Sequence, residues 1–109
     1  MPRSILCAAA LAAAMAGALA AGKPVTIAEA QHAYHVGQYG HSLTLFETLA
    51  AQHNAEAAEC AGFMLLMGEP MYGHQVPRDV KRAKVLLEEA AAGGRKGAGF
   101  LLNMVERTD

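Results

Sequence analysis

From residue 21 onward, apolar side chains recur three and four positions apart and show no convincing period-two alternation, which predicts helices and no strand. Thr26-Ile27-Ala28-Glu29 fits a capping box, in which the Thr26 hydroxyl accepts from the Glu29 amide and the Glu29 carboxylate reaches back. A first helix therefore starts there, with Pro24 just outside, and Gly37 supplies the left-handed residue that ends it. A second is expected over about 39–52, its stripe formed by Leu43, Phe46, Leu49 and Ala50. Asn54 caps a third over about 55–67, apolar nearly all round from Cys60 onward and so packed on two sides. Gly68, Pro70, Gly73 and Pro77 then break the pattern for about ten residues. Asp79 caps a fourth helix bearing Val80, Ala83, Leu86, Leu87, Ala90 and Ala91, which stops at Gly93-Gly94. The fifth, over about 96–106, places Ala98, Leu101, Leu102 and Val105 on one face, although Gly97 and Gly99 weaken its first turn.

The first twenty residues follow other rules. Arg3 is a basic n-region, residues 5–15 are an apolar run of mostly Ala and Leu, and Ala18-Leu19-Ala20 has the small-x-small pattern of a signal peptidase site. A retained anchor needs about 20 strongly apolar residues, and this Ala-rich run is shorter and weaker. Residues 1–20 thus read as a cleaved secretory signal peptide, and residues 21–109 as one small domain with no later membrane span, periplasmic or secreted. Without Arg3, eight basic side chains face ten acidic ones, with no block of like charge, so nucleic acid and anionic membranes are not expected partners. Beyond the leader, Cys60 stands alone, so no intramolecular disulfide holds the domain and packing must.

Internal repetition emerges on sliding the chain along itself. At an offset of 41 residues Leu45 meets Leu86, Phe46 meets Leu87, Leu49 meets Ala90, Ala50 meets Ala91, Ala57 meets Ala98 and Ser42 meets Ala83. At an offset of 32 the first and third helices superpose, Ala30 on Gly62 and Tyr34 on Leu66. The pattern predicts an all-α fold of two helical hairpins, about 24–53 and 54–93, and a terminal helix, about 95–107, whose stacking supplies the core.

Gly37, Tyr39, Ser42, Phe46, Leu49 and Ala50 resemble the second half of a tetratricopeptide-type (TPR) repeat. The second unit resembles the Sel-one-like subfamily: Ala55-Glu56-Ala57, Gly62, Val76-Pro77-x-Asp79, Arg82-Ala83, Ala90-Ala91, Gly94 and Ala98 follow its pattern. Ala61, the Leu86-Leu87 pair and the longer segment from Gly68 to Val76 depart from it. The resemblance implies a short α-solenoid of about two and a half repeats, a protein-interaction scaffold whose first helices in each unit line a concave groove. Carried onto this chain, the groove positions are Gln31, Tyr34, His35, Glu59, Phe63, Met67, Phe100, Met104 and Arg107, with Ile27, Glu56 and Leu66 beside them. Aromatic and methionine side chains there suit an apolar peptide, although Phe63, Leu66 and Met67 equally suit a core.

Candidate chemistry adds little. His32 and His35 share spacing on the first helix, but no further Cys, Asp or Glu at ligand spacing joins them, so no metal or other cofactor is expected. No serine or cysteine lies in a nucleophile setting, and Glu88 and Glu89 diverge by about 100° on a helix, so no catalytic residue is assigned. The expected function is an exported module that binds a protein or peptide partner without catalysis. A periplasmic immunity or inhibitor protein is the alternative, and a small cell-wall or β-lactam hydrolase a remote one. Phe100 and Met104 lie off the stripe of the last helix with no later helix to cover them, which predicts a partner, a second copy included. The long segment from Gly68 to Arg78 is a further expected contact, because Met71, Tyr72 and Val76 are apolar residues in a turn-rich stretch. Tyr-Gly-His occurs twice, at Tyr39 and at Tyr72, 33 residues apart; this fits neither repeat offset and reads as a chance echo.

Overall fold

Asn54, Asp79 and Thr26 each open a helix in the computed structural model, which describes residues 24–108, side chains through Arg107. The signal-peptide expectation falls on residues outside this range. Six helices and no strand occur among the described residues: α1 (Ile27–His35), α2 (Tyr39–Ala51), α3 (Ala55–Met67), α4 (Glu69–Tyr72), a 3-10 turn (Gly73–Gln75), α5 (Val80–Ala92) and α6 (Lys96–Thr108). The capping box closes in both directions, the Glu29 amide donating to Thr26 Oγ1 at 3.2 Å and the Thr26 amide to Glu29 Oε1 at 3.0 Å. Asn54 Oδ1 accepts from the Ala57 amide at 2.9 Å and Asp79 Oδ1 from that of Arg82 at 3.1 Å, each cap stabilising by about 1 kcal/mol.

Helices α2 and α5 end alike, with a left-handed residue after which the chain turns back. The Asn54 amide donates to the Leu49 carbonyl at 3.1 Å and the Arg95 amide to that of Ala90 at 3.0 Å. The left-handed residue is Gly94 (φ 96°) in one case and His53 (φ 68°) in the other, positions 41 apart that the repeat offset superposes. A β-carbon is disfavoured in that conformation, so His53→Gly is expected to stabilise the fold by about 0.5–1 kcal/mol after the larger chain entropy of glycine is subtracted. A rise in the urea midpoint at unchanged slope is the readout.

Each longer helix packs on its successor, α1 on α2, α2 on α3, α3 on α5 and α5 on α6, while α3 also touches α6. Small residues set the closest approaches. Ser42, fully buried, lets α2 approach α1 and donates its hydroxyl to the Ala30 carbonyl at 2.8 Å. Gly62 of α3 faces Leu87 of α5 so closely that a β-carbon there would lie 2.8 Å from Leu87 Cγ. The core runs through Ala30, Leu43, Phe46, Leu49, Ala58, Met64, Leu65, Ala83, Leu87, Ala90 and Val105. As the all-round apolar pattern of α3 predicted, it buries residues toward both neighbours. An ion pair between Arg82 and Glu47 ties α5 to α2.

The segment between α3 and α5 corrects one expectation. Instead of a plain irregular loop, residues 69–75 form α4 and the 3-10 turn, and the chain folds back so that the Asp79 amide reaches the Leu65 carbonyl at 2.9 Å. Val76 and Tyr72 become core, Tyr72 being only 4 % exposed. Neither Val76 nor Tyr72 is thus a surface contact: both side chains gain burial, and the Tyr72 hydroxyl finds a partner, which favours the inward position. Met71 stays on the surface, 53 % exposed. Gln75 fastens the segment to the α1–α2 turn, its Oε1 accepting from the Gly40 amide at 3.0 Å and its Nε2 donating to the Gly37 carbonyl at 3.1 Å.

Candidate functional site

A cavity of about 470 Å³ opens between α1, α3 and α6. Helix α1 contributes Gln31, Tyr34 and His35, and α3 contributes Glu59, Cys60, Phe63 and Met64. Gly97, Phe100 and Leu101 come from α6, with Phe46 and Tyr72 behind. The three walls follow from helical spacing. Gln31 and His35 stand four apart on one face, Glu59 and Phe63 four apart on the next, and Gly97 and Leu101 four apart on the third.

The groove residues expected from the sequence divide into two groups. Gln31, Tyr34, His35, Glu59, Phe63 and Phe100 converge on this cavity. Met67 and Met104 instead meet farther along α3 and α6, lining a shallower depression of about 280 Å³ with Leu66, Arg78 and Val105. Arg107 is exposed on the last turn of α6 and lines neither. Leu66 is buried, and Ile27 packs partly buried against the core. Phe46, Cys60, Met64, Gly97 and Leu101 were not among the expected groove residues. Cys60 precedes Phe63 by three residues and Gly97 precedes Phe100 by three, so helical spacing from the two phenylalanines would have found both.

All three tyrosines of the chain meet beside the cavity, and Tyr34 and Tyr72 line it. Tyr34 and Tyr72 hydroxyls lie 2.8 Å apart, and the ring centroids are separated by 5.3 Å (Tyr34–Tyr39), 5.7 Å (Tyr34–Tyr72) and 5.0 Å (Tyr39–Tyr72), edge-on or tilted as aromatic quadrupoles prefer. The tyrosines of the two Tyr-Gly-His stretches therefore touch, while His41 and His74 remain exposed. Burial, and then the bond to Tyr34, hold the Tyr72 phenol well above its ordinary ionisation range.

Polar groups sit on the rim. Gln31 Nε2 donates to Glu56 Oε2 at 3.3 Å. The His35 ring accepts nothing from the Gln31 carbonyl and so donates Nδ1–H to it, at 2.7 Å, which leaves Nε2 as the open ring nitrogen. Arg95 approaches Glu59 through Nε at 2.9 Å and Nη2 at 2.8 Å, both on Oε1. Glu59 Oε2 lies over the backbone of Gly97, in space that any side chain there would invade.

Cys60 faces this site as a thiol. Burial first, then the charges of Glu56 and Glu59, push its pKa from 9.0 up to about 11, with Arg95 acting weakly in the other direction. A pKa raised on folding favours the protonated state, so this contribution to stability is complete below pH 9.0 and is lost as pH rises to about 11. We expect alkylation of folded protein by iodoacetamide at pH 7 to be much slower than that of the urea-unfolded chain. Cys60→Ala should also remove part of the loss of stability between those pH values, measured by urea titration at each pH.

His32 faces elsewhere, in a depression it shares with Glu29, Gln38 and His41. Among the described residues no group of three or more His, Cys, Asp or Glu side chains is placed to hold a metal ion, and no helix is long and apolar enough to cross a membrane. The arrangement can hold an apolar group against aromatic, leucine and methionine side chains and orient it by the few polar atoms at the mouth. Neither a family model, nor a curated protein, nor a solved structure matches the chain.

Proposed function

We propose that the protein is an exported binding module, a short helical-repeat scaffold of the Sel-one-like type, which takes up an apolar segment of a protein or peptide partner in the groove of α1, α3 and α6 and performs no chemistry on it. The observation that carries this reading is the cavity between α1, α3 and α6, walled by Phe63, Phe100, Leu101, Tyr34 and Tyr72. Phe100, 66 % exposed at its edge, is an aromatic anchor of the kind that dominates recognition when covered. The protonated thiol of Cys60 and the mutually satisfied phenols offer no activated nucleophile, which favours binding over turnover.

Selection from a displayed library of random peptides tests the reading. Binders should be rich in aromatic and branched apolar residues, and Phe63→Ala or Phe100→Ala should weaken them at least tenfold while Met71→Ala leaves them unchanged. Binders of equal strength to all three variants would place recognition outside the groove.

A further inference from the structure

One carboxylate beside the groove has no counter-ion. Arg95 places both of its contacts on Glu59 Oε1, at 2.9 Å and 2.8 Å, so that pair is neutral in itself. Glu56, one turn earlier on α3 and half-buried, accepts from the uncharged Gln31 amide and pairs with no cation among the described residues. Its Oε2 lies 3.3 Å from Gln31 Nε2, and Gln31 lines the cavity, so the carboxylate stands at the cavity's edge. Holding a charge partly out of water without a partner costs free energy that a cation arriving with a ligand would offset.

Two further observations agree on the sign. At the sulfur of Cys60, which lines the cavity, Glu56 and Glu59 each act more strongly than Arg95, so the potential there is negative. The walls add to it: Tyr34, Phe63 and Phe100 line the same space, and the face of an aromatic ring is the negative part of its quadrupole. The open Nε2 of His35 is one more acceptor. Arg95, the basic group that acts on Cys60, is already bound to Glu59 and so offers little to an anion. A ligand cation at this mouth is therefore matched on every side, whereas a ligand carboxylate would face Glu56 uncompensated.

We infer that the peptide segment bound in the groove carries a lysine or arginine beside its apolar anchor: the anchor enters between Phe63 and Phe100, and the cationic side chain lies across the rings at the mouth with its charge on Glu56. This rests on the groove being a peptide-binding surface, and it adds the sign of the charge that the partner bears. Glu56 also stands in the first turn of α3, where a carboxylate favours the helix dipole. That role is indifferent to the charge of a peptide, so selectivity for peptide charge separates the two.

Peptides selected from a displayed random library on the unaltered protein should carry lysine or arginine beside the aromatic or branched apolar anchor, and seldom aspartate or glutamate. Replacing that basic residue by glutamine in a synthetic copy of such a binder should raise its dissociation constant about tenfold in low salt and less in high salt, as a partly exposed charge contact does. Glu56→Gln, which keeps an acceptor for Gln31, should abolish the difference between the two peptides with unchanged helical circular dichroism. Glu56→Lys should select glutamate at that position instead. Binders whose anchor is flanked by neutral or acidic residues overturn the inference and leave apolar recognition standing. A basic preference that persists in Glu56→Gln also overturns it, since the charge is then read elsewhere. If no peptide is bound, or binding is indifferent to Phe63→Ala and Phe100→Ala, the groove reading itself fails and this inference falls with it.

Discussion

Gly68→Ala is expected to destabilise the protein by about 3 kcal/mol or more, a sum of backbone strain and overpacking. Gly68 has φ 63° and ψ −147°, a region that residues with a β-carbon scarcely enter. The space is also filled. A β-carbon there would lie 2.5 Å from Arg78 Cβ, 2.6 Å from Arg78 Cα and 2.8 Å from its amide nitrogen. Main-chain atoms cannot rotate away as a side-chain tip does, so the residues on either side of the 69–77 excursion would have to separate. Asp79, whose amide bonds to Leu65 and whose side chain caps α5, would be drawn out with them. Gly94→Ala is the control, since Gly94 also has positive φ (96°) but open space around it, and it should cost only about 0.5–1 kcal/mol, the strain less the chain entropy that alanine saves. Equilibrium urea unfolding of the two variants gives the comparison, and equal losses would show that the close approach to Arg78 contributes nothing.

The second large effect is expected at the contact of α3 with α5. Leu87 is fully buried and among the largest side chains so enclosed, so Leu87→Ala should cost about 2–5 kcal/mol. Gly62→Ala sets a methyl 2.8 Å from Leu87 Cγ and 3.3 Å from the Ala83 carbonyl oxygen, and should cost about 1–3 kcal/mol through overpacking. These two changes oppose each other in volume. In the double variant the new methyl enters space that Leu87 has vacated, so the loss should be smaller than the sum by about 0.5–3 kcal/mol. A double-mutant cycle in urea measures this coupling. Strict additivity would mean that the helices had already moved apart in the Gly62→Ala variant.

Local signals made much of the fold readable in advance. Thr26, Asn54 and Asp79 each announce a helix because a short acceptor can satisfy an otherwise open amide only at a helix start, and all three do so. The Leu43, Phe46, Leu49 and Ala50 stripe is buried as its spacing requires. Tyr72 was not readable in that way. Its segment holds two prolines and two glycines, and what turns the tyrosine inward is the return of the chain past Gly68 together with a hydroxyl on Tyr34, 38 residues earlier in the sequence. Neither leaves a periodic trace. The groove was half readable for a related reason: Gln31, Tyr34, His35, Glu59, Phe63 and Phe100 follow from helix faces, whereas the placement of Met67 and Met104 in a separate depression depends on how α6 lies against α3.

The gathering of Tyr34, Tyr39 and Tyr72 has a spectroscopic consequence. The chain has three tyrosines and no tryptophan, so its intrinsic fluorescence originates at one spot, where α1, α2 and α4 meet. That emission is a local probe. It will register the docking of residues 69–75 beneath the groove and remain nearly silent if α5 or α6 frays, so a tyrosine signal that precedes the loss of helical circular dichroism would mark separate release of that segment.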